Sequence, residues 1–415
     1  MKLTQLSPLA PLLLGAAAAC GLGNVSGDLE ASRTGDLSNA PAERADGGAA
    51  LAQACARAGA PPADYPTARA PYLQRLTDRS VRLMWASPAE PPPYVVVTTP
   101  DGAPVAEVGA EHDDGALPAG GGALPWAAEV GGLAAGSVYC YELRAGGAAS
   151  ARYGFRTAPA AGAGRPVRFV AFGDSGKGTA DQRALLAQVR TVPFDFVVHT
   201  GDLAYDHGER GEIERHVFDV YAGVFSQFAF FPASGNHEYD TDDAAPFREA
   251  FALPENGGPE GLERWYSFDW GDAHFVALDT ERTGAAQAAW LEADLAANRR
   301  PWTIVYGHRP PFSSGEHGSD DAFRRHFVPA LERHGVQLVL SGHDHHYERS
   351  KPQNGVTYVV TGGGGIGTRS MDGSGFTAFG DAVIHFVYVT VAGDELALHA
   401  IDGVGNEFDS LVLRR

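Results

Sequence analysis

The strongest constraint on the fold is a series of apolar runs in residues 165–415, each ending in a short polar cluster. Examples are "VRFVAFGD", "FDFVVHTGD", "FAFFPASGNHE", "WTIVYGH" and "VQLVLSGHDHH". Near-continuous Val, Ile, Leu and Phe are typical of strands buried on both faces, and helical segments such as "AAWLEADLAA" separate these runs. The pattern predicts an α/β layered domain. The sequence from Ala382 onward predicts hairpins, whose antiparallel strands would complete the sheet.

The segment in front of this domain has a different hydrophobic pattern. Residues 67–159 contain short alternating runs such as "SVRLMWAS", "YVVVTT" and "VYCYELRA" between Pro and Gly turns, which predicts an all-β sandwich with Trp85 in its core. Its role is either a packing accessory or a module that binds carbohydrate or a partner. Residues 21–66 hold almost no large apolar side chains, so they predict a disordered linker.

The N-terminus, "MKLTQLSPLAPLLLGAAAACGLG", has a lone lysine, a short apolar core and a run of small residues. Residues 1–20 therefore predict a secretory signal, with a disordered Ala-rich leader as the alternative. Because the small residues end at Cys20, the segment also resembles a bacterial lipoprotein signal, although Ala17 stands where that pattern prefers leucine. We expect an exported protein that is periplasmic, extracellular or held at the cell surface by lipid on Cys20. Cys55 and Cys140 remain, and a bridge between them is left open.

The chain of 415 residues carries a formal charge of -19, nearly all of it in the folded part. A protein that binds the phosphate backbone of nucleic acid needs an excess of Lys and Arg, so nucleic acid is excluded as the main partner. If the substrate is an anion, the positive charge must come mainly from something other than side chains.

Two glycine-rich stretches do not fit nucleotide-binding motifs. In "FVAFGDSGKG" a phosphate loop would need glycine at Ala171 and Ser or Thr at Gly178. In "TGGGGIGT" the spacing of Gly362, Gly364 and Gly367 satisfies the dinucleotide fingerprint, but Gly, Ser and Thr follow where a helix must begin. Both motifs are excluded.

The polar clusters at the strand ends carry metal-binding side chains, and each cluster would project to the same edge of one parallel sheet. Their candidate ligands are Asp174, Asp202, Tyr205, Asn236, His308, His343 and His345. Seven oxygen and imidazole donors suit two metals that share a carboxylate, since one tetrahedral site uses about four ligands. Paired metals acidify a bridging water and stabilise charge on phosphoryl oxygens, and they supply the missing positive charge.

These five boxes, with a tyrosine three residues after the second aspartate, resemble the metallophosphoesterases and specifically the purple acid phosphatases. The resemblance runs from about Thr67 to the C-terminus, since the plant-type enzymes also carry a fibronectin type III-like domain in front. The pattern Leu133-x-Ala135-x-Ser137-x-Tyr139 resembles the tyrosine corner of such domains. The resemblance implies a four-layer α/β/β/α metallophosphoesterase sandwich preceded by an all-β fibronectin type III-like sandwich.

The resemblance also implies the ligand roles. Three side chains would bind a ferric ion: Asp174, Tyr205 and His345. Three others would bind a divalent ion of iron, zinc or manganese: Asn236, His308 and His343. Asp202 would bridge the two metals, and the Tyr205 phenolate on iron would give a purple colour.

Two further histidines take catalytic roles by resemblance. His237 would hydrogen-bond the substrate phosphate or the nucleophilic hydroxide, and His317 lies near where the family places a pair of histidines that protonate the leaving alcohol. Here the pair is Glu316-His317, so Glu316 either raises the pKa of His317 or is a solvated loop acid. His199, His346 and the stretch "YERS" at residues 347–350 are interpreted as structural, whereas His207, just beyond Tyr205, either reaches the pocket or lies on a loop surface.

The function implied is hydrolysis of small-molecule phosphate monoesters by attack of a metal hydroxide at phosphorus, without a phosphoenzyme intermediate. A phosphodiesterase or nucleotide pyrophosphatase on the same metals is the close alternative. A surface binding protein with a vestigial metal site and a redox role for exposed iron are further alternatives.

Overall fold

The computed structural model of the protein describes residues 42–56 and 63–415. The predicted signal segment, with Cys20, lies outside these residues. Among the described helices, none is long and apolar enough to cross a membrane.

Residues 69–156 form two antiparallel sheets. Their strands are β1 (Arg69–Gln74), β2 (Val81–Ser87), β3 (Tyr94–Thr98), β4 (Pro104–Gly109), β5 (Glu111–His112), β6 (Leu124–Val130), β7 (Val138–Ala145), β8 (Ala148–Ala149) and β9 (Tyr153–Arg156). The strand orders are β1-β2-β6-β5 and β4-β3-β7-β8, with β9 beside β7. Trp85 on β2 is 1% exposed, which confirms its predicted place in the core. The Tyr139 hydroxyl accepts a hydrogen bond from the Ala134 amide at 2.9 Å, while the fibronectin-like class stays a prediction.

Residues 167–414 form two larger sheets. The first contains β10 (Val167–Phe172), β11 (Phe196–His199), β12 (Ala229–Pro232), β20 (His385–Ala392), β21 (Glu395–Asp402) and β22 (Glu407–Arg414), in the order β12-β11-β10-β20-β21-β22. The second contains β13 (Tyr266–Trp270), β14 (Ala273–Ala277), β15 (Trp302–Tyr306), β16 (Leu338–Ser341), β17 (Tyr347–Ser350), β18 (Thr357–Thr361) and β19 (Thr377–Asp381), in the order β13-β14-β15-β16-β18-β17-β19. Strand β20 pairs antiparallel with β10, and β21 and β22 extend the sheet as hairpins. The prediction for the C-terminal tail is therefore confirmed.

Helices connect and cover these sheets. They are α1 (Gly47–Cys55), α2 (Ala180–Val189), α3 (Arg210–Glu212), a π-helical stretch (Ile213–Phe218), α4 (Asp219–Phe225), α5 (Asn236–Tyr239), α6 (Ala245–Ala250), α7 (Ala285–Ala297), α8 (Asp321–His326) and α9 (Val328–Arg333), with short 3₁₀ turns at Gly120–Gly122 and Asp242–Ala244. The α/β class predicted from the alternating pattern is confirmed.

The two larger sheets contact each other through aromatic rings. The Phe275 ring of β14 meets the Phe169 ring of β10 at 5.2 Å between centroids, and the Phe196 ring of β11 at 5.1 Å. Its neighbour Val276 belongs instead to a separate core with Leu291 of α7 and Leu331 of α9. Because successive side chains of a strand point to opposite faces, one face of this sheet packs on its partner sheet and the other on helices.

The prediction that residues 21–66 form a disordered linker is wrong for residues 47–55, which form a helix. Helix α1 begins after Asp46, whose side chain accepts a hydrogen bond from the Ala49 amide at 2.8 Å. Leu51 is buried, and Cys55 forms a disulfide with Cys140 of β7 at a Cα–Cα distance of 5.6 Å. A weakly apolar segment is ordered here by a capped helix and a covalent bond to the sandwich, neither of which depends on its own hydrophobic content.

Candidate metal centre

The polar boxes come from two sheets rather than the one parallel sheet that the sequence predicts. Asp174, Asp202 and Asn236 follow β10, β11 and β12 of the first sheet, whereas His308 and His343 follow β15 and β16 of the second. Strand pairing shows that the prediction of one sheet is wrong. The parallel strands β10, β11 and β12 pair in the first sheet, and the parallel strands β14, β15 and β16 pair in the second. The carboxyl ends of strands from both sheets nevertheless meet at one site.

Three site residues have left-handed backbones, at φ 58° for Asp174, 54° for Asp202 and 70° for His343. Such conformations cost roughly 1–3 kcal/mol each for residues with a Cβ and persist where the surroundings fix them. Here the amide of His343 lies 3.1 and 3.0 Å from the two carboxylate oxygens of Asp174. Hydrogen bonds between these strained turns therefore connect the first polar cluster, at Asp174, to the last one, at His343.

One group of donors surrounds the hydroxyl of Tyr205. Its oxygen lies 3.0 Å from Asp202 Oδ2, 3.2 Å from Asp174 Oδ1 and 3.3 Å from His345 Nε2. A tyrosine hydroxyl has one proton and can donate to only one of these three atoms. All four side chains are buried, so the convergence of acceptors fits a bound cation better than a set of hydrogen bonds.

A second group surrounds His308. Its Nε2 lies 3.2 Å from Asp202 Oδ2, 3.1 Å from Asn236 Oδ1 and 3.1 Å from His343 Nδ1. Its other nitrogen, Nδ1, donates to the Thr200 carbonyl at 3.0 Å, which leaves Nε2 unprotonated in the neutral ring. Atoms of Asp202, His308 and His343 lie close enough together to hold a metal ion.

The same oxygen, Asp202 Oδ2, contacts both groups. A carboxylate placed in this way can contribute to two cations at once, and the remaining donors divide evenly between its two sides. All seven predicted ligands are thus brought together: Asp174, Asp202, Tyr205, Asn236, His308, His343 and His345.

The electrostatics of the site favour added positive charge. Burial raises the pKa of Asp174 well above its ordinary value, opposed by His308 and reinforced by Asp202. Burial also raises the pKa of Tyr205, and the carboxylates Asp174 and Asp202 raise it further. Burial disfavours protonation of His308, but Asp202 outweighs it and raises the pKa to about 10. A phenolate at Tyr205 would therefore need a compensating cation beside it.

Glu238 is a positioning residue that the sequence analysis missed, although it belongs to the box "GNHE". Its buried carboxylate accepts hydrogen bonds from the amides of Asp202 at 2.9 Å, Leu203 at 2.8 Å and Gly235 at 2.7 Å. It therefore fixes the second box against the third. Burial and then Asp202 raise its pKa to about 7. The sequence signal for it is its position two residues after the predicted ligand Asn236.

Two glycines allow close approach to the carboxylates. A Cβ on Gly235 would lie 2.1 Å from Asp202 Oδ1, and one on Gly362 would lie 2.8 Å from Asp174 Oδ2. Gly364 donates to the carbonyl of Gly173 at 2.9 Å. The glycine run excluded above as a dinucleotide motif thus packs against the first metal box, where a larger residue would not fit.

His237 borders the same site. Its Nδ1 lies 2.5 Å from the Asp206 carbonyl, to which it can only donate, so Nε2 is the free nitrogen of the neutral ring. That Nε2 lies 3.7 Å from Asp202 Oδ2, and the ring sits 4.2 Å from the Tyr205 ring. With 28% of its side chain exposed, His237 faces both the carboxylates and solvent.

His317 also reaches the site. Its ring stacks on His343 with 4.3 Å between centroids, and its Nε2 contacts the guanidinium of Arg369. Burial and then Arg369 lower its pKa. The Glu316 carboxylate does raise this pKa, as one of the two alternatives predicts, but it is 68% exposed and contributes less than burial and the guanidinium, so the net change in the pKa is downward.

Three other histidines lie outside the ligand clusters. His199 is buried with Nε2 3.0 Å from Ser175 Oγ, His346 is buried 3.4 Å from Glu348, and His207 is 62% exposed beside Asp240. In "YERS", Tyr347 and Arg349 both bind Asp409 of β22. The structural or surface interpretation of these residues agrees with their contacts.

The match to a family model gives the class of this domain. Residues 167–347 match the calcineurin-like phosphoesterase family, so the chain contains a calcineurin-like phosphoesterase domain. This range holds all of the predicted ligands.

The proteins that this chain resembles in sequence are homologues from the purple acid phosphatase group. Acid phosphatase type 7 of Danio rerio is 31% identical over 218 residues, 44% of this chain and 48% of that protein. Tartrate-resistant acid phosphatase type 5 of Sus scrofa is 25% identical over 320 residues, 65% of this chain and 92% of that protein. Matches to the first relatives, including an uncharacterised protein of Mycobacterium tuberculosis, span just under half of their length, 46% to 48%.

A solved structure shares the fold. The purple acid phosphatase PPD1 of yellow lupin, Lupinus luteus, superposes with a TM-score of 0.73 over 84% of this chain and 75% of that chain, at 23% identity. The metallophosphoesterase fold with a β-rich N-terminal region is therefore established, as the sequence indicated.

Proposed function

We propose that the chain is a binuclear-metal phosphohydrolase that acts on phosphate monoesters of small molecules. The observation that carries the proposal is the position of Asp202 Oδ2, which lies 3.0 Å from the Tyr205 hydroxyl and 3.2 Å from His308 Nε2. One oxygen between two sets of donors is the arrangement that two neighbouring metals need. The calcineurin-like phosphoesterase domain supports the same reaction class.

The donor chemistry divides the ligands. A phenolate is a hard, charged donor, so the Tyr205 side suits a ferric ion, together with Asp174 and His345. The opposite side offers an amide oxygen and neutral imidazoles, from Asn236, His308 and His343, and suits a divalent ion. When bound, the pair of metals supplies Lewis acidity, which lowers the pKa of water and stabilises negative charge on phosphoryl oxygens.

The chain's own histidines handle the phosphate and the protons. His237 presents Nε2 toward the carboxylates, where a protonated ring would bind a phosphate oxygen. In the hydrolysis, a P–O bond to water oxygen forms, the P–O bond to the leaving group breaks, and one proton of water ends on the leaving oxygen. His317, whose ring stacks on His343, delivers this proton as an imidazolium, because a neutral imidazole is too weak an acid to protonate the leaving oxygen.

The N-terminal region and the location complete the proposal. We propose a fibronectin type III-like accessory module at residues 67–159 in front of a catalytic domain at 165–415, in an exported protein. The disulfide between Cys55 and Cys140 supports export, because such bonds persist in oxidising compartments.

The test is metal analysis and a visible spectrum of the purified protein, followed by phosphate release from an aryl monoester and a bis-ester. We expect about two metals per chain including iron, a purple colour and a preference for the monoester. Tyr205→Phe should lose the colour and keep the fold, because only the phenolate is removed. Persistent colour in that variant would contradict the ligand assignment. A colourless zinc or manganese protein that prefers the bis-ester would indicate the phosphodiesterase function instead.

A further inference from the structure

Arg369 lies at the rim of the metal centre, and its one carboxylate partner among the described residues, Glu316, is distant and exposed. It belongs to the loop that follows β18, and its amide donates to the carbonyl of His345 at 2.9 Å. Its guanidinium contacts Nε2 of His317, whose ring stacks on the candidate ligand His343. Two imidazoles, those of His317 and of the candidate ligand His343, therefore lie between this cation and the proposed metals, and the Arg369 backbone is held at the last polar cluster by its bond to His345.

The charge of Arg369 is poorly compensated. A neutral imidazole accepts one of its hydrogen bonds and adds no negative charge. The nearest carboxylate, Glu316, lies 3.8 Å from Nε and is 68% exposed, so it is well screened by water. The Arg369 side chain is itself 34% exposed.

Arg309, which also lies near His343, has a carboxylate partner that compensates its charge. It makes two hydrogen bonds to Glu281, at 2.7 and 2.8 Å, and that carboxylate is only 12% exposed. Its charge is thus matched inside the protein. In a chain with a formal charge of -19, a partly exposed guanidinium without a buried carboxylate partner marks a place for an external anion.

We propose that Arg369 is a specificity-determining residue that binds an anionic group, a phosphate or a carboxylate, on the leaving group of the substrate. This inference rests on the proposed function. A guanidinium offers parallel N–H donors that match both kinds of anion, and charge-assisted bonds of this kind are roughly twice as strong as neutral ones. The preferred substrates are then esters or anhydrides whose leaving group carries a second negative charge.

The test compares Arg369→Ala with the wild-type holoenzyme on three substrates. Phenyl phosphate has a neutral leaving group, 4-carboxyphenyl phosphate adds a carboxylate, and pyrophosphate has a phosphate as its leaving group. We expect kcat/KM to fall by about ten- to a hundredfold on an anionic substrate and by less than about threefold on phenyl phosphate. The two anionic substrates distinguish a phosphate site from a carboxylate site.

Two further variants serve as controls. Arg369→Lys keeps the charge without the planar fork and should recover part of the loss. Arg333→Ala removes a 60% exposed arginine of α9 that pairs with Glu292 of α7 and contacts none of the candidate ligands, and it should change none of the three rates.

An equal loss on all three substrates would overturn the inference. If Arg369 acted only by orienting His317, the loss would be greatest on phenyl phosphate, whose phenolate most needs a proton. Calorimetry with pyrophosphate and with inorganic phosphate gives a readout that needs no turnover. Arg369→Ala should remove the tighter binding of pyrophosphate, and unchanged binding would refute a phosphate site at Arg369 even in a protein that hydrolyses none of the substrates. Failure of wild-type hydrolysis alone would count against the proposed function only.

Discussion

His274 on β14 lies between two carboxylates, and it gives the protein a pH-dependent contribution to stability that can be measured away from the metal centre. Its Nδ1 lies 2.7 Å from Asp269 Oδ1 and its Nε2 lies 2.8 Å from Asp294 Oδ2. Only the doubly protonated imidazolium donates from both nitrogens. Burial lowers the pKa of His274, but the two carboxylates outweigh burial and raise the pKa to about 9. Arg300 faces the same group and pairs with Asp269 at 3.0 Å.

The size of this contribution to stability follows from the difference between the pKa values of His274 in the folded and unfolded chains. The pKa rises from 6.5 in the unfolded chain to about 9 in the folded one. At about 1.4 kcal/mol per unit, the charged ring stabilises the folded state by about 3 kcal/mol. Because the folded pKa is the higher one, this stabilisation is fully present below pH 6.5 and is lost as the pH rises through 9. The His274→Gln variant should therefore be most destabilised, relative to the wild type, on the acid side of this window.

The assay is chemical denaturation of the wild type and His274→Gln, each at pH 6 and pH 9.5. The difference in free energy of unfolding between the two proteins should shrink by about 3 kcal/mol from pH 6 to pH 9.5. Titrations elsewhere in the chain cancel in this difference. His207→Gln is the matched control, since that ring is 62% exposed and its pair with Asp240 should contribute less than about 1 kcal/mol. A difference that stays constant with pH, or that grows toward pH 9.5, would refute the reasoning.

Two other predictions concern the site and the sandwich. Gly235→Ala places a methyl group 2.1 Å from Asp202 Oδ1, so we expect metal analysis to show loss of bound metal, with loss of phosphatase activity. Gly223→Ala, whose Cβ would meet nothing within 4 Å, should keep both, and an unchanged metal content in Gly235→Ala would contradict the predicted clash. Removing the disulfide with the double variant Cys55→Ser and Cys140→Ser opens a link across 85 residues, which should lower the free energy of unfolding by about 2–4 kcal/mol in denaturant titrations. Equal stability of the two forms would show that the bond contributes little.

The candidate metal ligands could be found in the sequence because each polar cluster that holds them begins just after a buried strand. Asp174, Asp202 and His343 follow runs whose composition alone predicts burial. The carboxyl ends of parallel strands gather at one edge, so a linear series of polar boxes predicts a cluster in space. The residues around them carried a weaker signal. Glu238 sits inside a box, yet nothing in its spacing indicates that its carboxylate holds the backbone of another box.

What the sequence determined by itself is the local part of the molecule: the α/β and all-β classes, the core position of Trp85, the antiparallel tail and the set of donors. These depend on composition and periodicity within short segments. Only the tertiary structure decided that the donors come from two sheets, that the 47–55 segment is a helix bonded to Cys140, and that Arg369 meets His317 from 52 residues away. Such pairings join distant segments through packing and hydrogen bonds, and short-range patterns contain no record of which distant groups will be neighbours.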